Sequence, residues 1–147
     1  MIGYVDNFAM KGILAIRVYR KGVLVDERVE NNLIVNGARD QIARLIAGNV
    51  GGRSIERIAF GTNGSAPDVA DAVITQQFAR PVNGFSYPAM GQVQIDWELP
   101  TTENNGMAIR EFGLLTADGT LFARRTRQNP IYKESDISIA GHWTIVL

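Results

Sequence analysis

Gln92-Val93-Gln94-Ile95-Asp96-Trp97-Glu98-Leu99 alternates polar and apolar residues without a break until Pro100. Successive side chains of a strand point to opposite faces, so Val93, Ile95, Trp97 and Leu99 form a buried row, and Gln92, Gln94, Asp96 and Glu98 a wet one. A sheet packed on one face and solvated on the other follows. Pro100, lacking an N–H for the ladder, ends the strand.

On the C-terminal side, Ile109 to Leu115 and Thr120 to Arg127 read as strands flanking Ala117-Asp118-Gly119, where Asp-Gly accommodates positive φ and makes a hairpin turn. Ile137, Ile139, Trp143, Ile145 and Leu147 share one face of a last strand, with Gly141 at the same parity as a bend or bulge. On the N-terminal side, Leu14, Ile16 and Val18 alternate from Lys11, Lys21-Gly22 is a turn candidate, and Val23 to Glu30 pairs back. Val23, Val25 and Val29 share a face that Glu27 interrupts, which predicts a bulge, or an edge strand whose far end leaves the core. Ala38, Ile42, Leu45 and Ile46 repeat at helical spacing over Ala38 to Ala47, with Asn36 as a cap and Gly48 as the left-handed stop. Ile55 to Phe60 is a further strand, halted by the turn-forming cluster Gly61 to Pro67. From Asp68 to Gly91 the pattern is weak. Val69, Val73, Ile74 and Phe78 allow a short helix or strand, whereas Pro81, Gly84, Pro88 and Gly91 forbid longer regular structure.

The fold class is therefore mainly β: a β-sandwich-like or sheet-plus-one-helix domain of about six or seven strands, with an N-terminal β-hairpin. Residues 1–147 read as a single domain, 1–32 as a hairpin appendage and 33–147 as the main module. The length of 147 residues suffices for a core without staples, and no cysteine is present to supply disulfides or thiolate ligands. Fifteen Lys and Arg balance fifteen Asp and Glu, which removes the global electrostatic case for nucleic acid or anionic membrane. No apolar run nears the roughly 20 residues of a membrane span, and Met1 to Met10, carrying Asp6, lacks a leader's pattern. Synthesis in a cytoplasm without membrane insertion is the expectation.

Chemistry-bearing patterns are sparse. His142 is the only histidine and neighbours the core residue Trp143, so it faces away from the core and lacks the partners of a nucleophilic arrangement. Asp26 and Glu27 are adjacent on a strand and point opposite ways. Gly61 to Gly64 lacks the Lys-Ser/Thr and the helix of a phosphate loop. No His/Asp/Glu set has ligand spacing. The reading is of a non-enzyme, with no catalytic residue, metal or cofactor. Arg124, Arg125 and Arg127 form the basic concentration, with Arg125 and Arg127 on one face, suited to a solvated surface or to acids of a neighbouring subunit. Val82, Phe85, Tyr87 and Met90 supply apolar surface in the Pro/Gly-rich connection. Together with Arg125 and Arg127 they are the candidate subunit interface.

Three segments in order, Asn32 to Arg39, Ile58 to Pro67 and Ile109 to Ala123, with Arg80 and Trp143-Thr144-Ile145 between and after them, resemble phage tail-fibre, tail-collar-fibre and baseplate-associated proteins. The resemblance spans about Leu33 to Leu147. In longer fibre proteins of that kind such a module attaches the fibre to the tail. The resemblance implies a virion structural protein of a phage or phage-derived tail, docking on baseplate, tail tip or collar and attaching fibres or neighbouring subunits. It also implies a homo-oligomer, with a trimer favoured. The alternative is a receptor- or carbohydrate-binding module in which Phe85 and Tyr87 stack on a glycan.

Overall fold

Lys21 and Gly22 both carry positive φ, 51° and 78°, in the two-residue turn that right-handed strand twist favours in hairpins. In this computed structural model, which describes residues 10–147, the turn joins β1 (Lys11–Arg20) to β2 (Val23–Ile34). The chain continues through α1 (Asn36–Ile46), β3 (Ile55–Gly61), β4 (Phe78–Pro81), β5 (Gly84–Ser86), β6 (Gln92–Leu99), β7 (Ala108–Thr116), β8 (Leu121–Tyr132) and β9 (Ile137–Val146). Residues 1–9, on which the start of the expected appendage and the expectation about a leader fall, lie outside the described residues.

The nine strands form a curled antiparallel sheet in the order β4-β3-β7-β8-β2-β1-β9-β6-β5. Its two ends are consecutive in sequence. Val82 donates its N–H to Glu56 O on the β3 side, at 3.0 Å, and Asn83 donates to Asp96 O on the β6 side, at 2.7 Å. The corner Val82-Asn83 thus joins the two edges covalently. Curling brings the two halves face to face: Phe60 and Phe112 of one half meet Trp97 of the other, with ring centroids 5.8 and 6.0 Å apart. Such edge and tilted contacts add to the area these large rings bury. Leu14, Ile16, Ile95, Leu99, Leu114, Ile139 and Trp143 belong to the same main core.

Several sequence expectations change in this setting. The hairpin is no appendage, because β1 lies between β2 and β9 and places Leu14, Ile16 and Val18 in the main core. β2 does contain a bulge: Val18 faces Asp26 but Tyr19 faces Leu24, leaving Val25 extra. Its polarity is the reverse of that expected. Glu30, Arg28 and Asp26 stand opposite the core residues Leu14, Ile16 and Val18, while Val25 and Val29 are exposed. Short strands also form in the Pro/Gly-rich segment, since β4 and β5 each pair on one side and edge strands tolerate missing or weak ladder bonds.

The helix starts at Asn36, with Val35 at the cap position and no side-chain cap; the Asn36 N–H is bonded to Val69 O. At its other end Asn49 N–H meets Arg44 O and Gly48 N–H meets Leu45 O, the paired bonds of a Schellman stop, and Gly48 has φ +82° as expected. Ile46 is exposed, and the docked face is Ala38, Gln41 and Ile42. Gly141 is neither bend nor bulge. It stays in register opposite Ile16 and Trp97, and a Cβ there would lie 2.7 Å from Trp97 Cζ2.

Candidate interaction surfaces

Glu111 shares the outer face of its half-sheet with Gly113, and opposite them β8 presents Arg124. Open to solvent, this pair would matter little; it is covered instead by residues 62–77. Ile74 packs so closely over Gly113 that a Cβ there would meet its Cδ1 at 2.8 Å, and Ile74 joins Val35, Ala59, Leu115 and Leu121 in a second small core. The Glu111 side chain has no exposure and that of Arg124 only 3%. Both are saturated. Glu111 Oε1 accepts the N–H groups of Asn63 (3.1 Å) and Thr75 (2.7 Å), and Oε2 accepts Arg124 Nε (2.8 Å). Arg124 donates onward to Asp71 Oδ2 at 2.8 Å and Asn63 O at 2.9 Å. A buried ion pair survives desolvation only with its remaining donors and acceptors occupied, and here the loop backbone occupies them. The long connection, residues 62–77, is therefore a lid on the sheet. Gly61 belongs to β3, and the turn beyond it is held by Glu111 rather than shaped for phosphate.

Gln41, which the hydrophobic pattern passes over, plays the corresponding role under the helix. Its Nε2 donates to Thr116 Oγ1 at 3.0 Å and Asp118 Oδ1 at 2.8 Å, while its Oε1 accepts Arg53 Nη1 at 2.6 Å. The Thr116 hydroxyl, the Gln41 amide and Thr120 hold the Asp118 carboxyl well below its ordinary range. Arg80, part of the resemblance, donates to Glu103 and to Glu98 O, tying β4 to the turn after β6.

The basic concentration divides. Arg124 is internal, whereas Arg125 and Arg127 reach one cleft together, in keeping with their shared face. Their acidic partners belong to the same chain: Arg125 Nε lies 2.7 Å from Glu30 and Arg127 Nη2 lies 3.4 Å from Asp26, both on β2.

The apolar candidates divide as well. Val82 is half-buried and packs against the main core. Phe85, Tyr87 and Met90 are exposed, Met90 fully. Phe85 stands opposite Ile95 on β6. With Tyr87 it rims a groove of about 370 Å³ that continues over Ile42 and Leu45 of α1 and over Val93 and Leu147. Its walls are almost wholly apolar.

His142 is half-buried, opposite Ala15 and Asp96, while its neighbour Trp143 is fully buried. Among the described residues no three His, Cys, Asp or Glu side chains gather closely enough to hold a metal ion. Among them also, no helix is long and apolar enough to cross a membrane.

Sequence reasoning missed Glu111 as a structural centre. A signal was present: an acid in a nearly continuous apolar strand, and an arginine on the return strand, with register counted from the turn at Asp118. No family model matches the chain, and no curated protein or solved structure matches it.

Proposed function

We propose that the chain is a structural subunit of a phage or phage-derived tail, docking on other tail proteins and on copies of itself. The observation that carries this reading is the apolar rim of Phe85 and Tyr87 on the groove beside α1, with Met90 exposed on the same connection. Burying such side chains is worth roughly 1.5–3 kcal/mol each, and a free-standing protein leaves that gain unrealised. Contiguous apolar surface of this kind marks interaction sites. The resemblance supplies the context, and two of its three segments meet where Glu111 accepts the Asn63 N–H.

The groove favours protein over sugar as its occupant. A glycan needs hydrogen-bonding groups beside its stacking platform, and of the polar residues lining this groove Arg53 is already engaged by Gln41 and Asn49.

The test is sedimentation of the purified protein and its incorporation into tail particles, for the parent and for a Phe85→Ser, Tyr87→Ser, Met90→Ser variant. The variant should keep the parent's folded circular-dichroism signature and lose self-association and incorporation. A variant that assembles like the parent overturns the reading. Specific glycan binding lost in the same variant would replace it with receptor recognition.

A further inference from the structure

β2 and β8 pair at Leu33 with Arg124 and Ile34 with Ala123, and beyond those residues the sheet opens. Among the described residues, Asp26 to Asn31 and Arg125 to Asn129 have no ladder bonds between them. β8 also departs from β7 here: Ile131 faces Ile109 and Thr126 faces Glu111, so Arg127 to Pro130 bulge out opposite Arg110 alone. Bulges re-aim side chains, and this one turns Arg127 into the opening. The result is a cleft of about 470 Å³ lined by Arg28, Glu30, Arg125 and Arg127 and closed on one side by Gly64, Ala66 and Pro67.

Charge in the cleft is unbalanced. Arg28, Arg125 and Arg127 face Asp26 and Glu30, leaving one positive charge in excess. Arg28 lies 3.6 Å from Asp26 and is more than half exposed. Arg127 is only 13% exposed, and its Nη1 is buried without a hydrogen-bond partner. A buried guanidinium donor left unmatched costs free energy, and a carboxylate that draws the Arg127 guanidinium into the cleft recovers it.

We propose that this cleft docks an extended acidic segment of a partner protein, with Arg127 and Arg28 engaging its carboxylates and the unpaired strand edges its backbone. Strand addition supplies main-chain bonds, and the arginines supply the preference for acid. The inference deepens the assembly reading by giving the chemistry of a second contact. It can fail without that reading failing, because the assay needs only the isolated chain and a peptide.

The probe is a blocked peptide of alternating glutamate and valine, titrated calorimetrically against the full chain beside its glutamine analogue and inorganic phosphate. The glutamate peptide should bind, weaken as salt is raised, and bind about tenfold more weakly to Arg127→Gln. Arg28→Gln, at a more exposed position, should weaken it too, so the outcome does not depend on one variant folding. Equal binding of both peptides, no binding, or displacement by phosphate at comparable affinity would overturn the proposal, the last in favour of a small-anion pocket.

Discussion

Glu111 on β7 and Arg124 on β8 meet at 2.8 Å beneath a lid whose backbone both of them bind. Removing one partner strands the other charge out of water. Glu111→Ala should therefore cost about 3–5 kcal/mol in urea unfolding and make residues 62–77 the first site of proteolytic cleavage. A loss below about 1 kcal/mol, the worth of an exposed pair, would show that the lid opens readily to water.

The two tryptophans of the main core test its packing. Trp97 and Trp143 are almost wholly buried, and truncating either to Ala should cost about 3–5 kcal/mol. Thermal melts close to the parent's would contradict their burial.

Gly141 tests the same region from the backbone side. A Cβ there runs into the carbonyl of Ala15 as well as into Trp97. Gly141→Ala should destabilise by about 1–3 kcal/mol, and Trp97→Phe in the same chain should not rescue it, because the clash with the Ala15 backbone persists. Full rescue would place the whole conflict at the indole.

At the β7–β8 turn Gly119 has φ +88° and open space around it. Gly119→Val should cost about 1–2 kcal/mol through the backbone alone, and Gly119→Asn distinctly less. Equal melting of the two variants would mean that the turn relaxes into another conformation.

Asp118 gives a pH dependence. Its carboxyl is held well below 3.8, first by the Thr116 hydroxyl and then by the Gln41 amide and Thr120. A depressed folded-state value gives stability that is present above the unfolded value and is lost as pH falls toward the folded one. Asp118→Asn should therefore melt below the parent at neutral pH, and the gap should narrow below about pH 4. A gap unchanged in acid would mean that the carboxylate's charge contributes nothing there.

Much of the secondary structure was legible in the residues. The alternation of Gln92 to Leu99 matches β6 at both ends. Lys21-Gly22 and Gly119 sit at positive φ, and Gly48 stops the helix. These features depend on neighbours a few residues apart, where side-chain period and backbone sterics act directly. The Asp118-Gly119 reading needed refinement: Gly119 N–H bonds Thr116 O and only the glycine has positive φ, so the loop is a tight turn closed by a glycine bulge.

The sequence by itself therefore determined a mainly β chain, its hairpins, its helix and the inward row of tryptophans. Only the tertiary structure decided which way β2 faces, that Glu111 and Arg124 hold a lid, and that Val82 is half-buried against the core while Phe85, Tyr87 and Met90 are exposed. The reason is physical. A strand's alternation says that its faces differ, but the neighbour across the sheet decides which face is inside, and for β2 that neighbour offers Arg125 and Arg127 to Glu30 and Asp26. Likewise, a charge far along the chain is hidden only when a distant segment folds over it, as Ile74 and Thr75 do over Glu111.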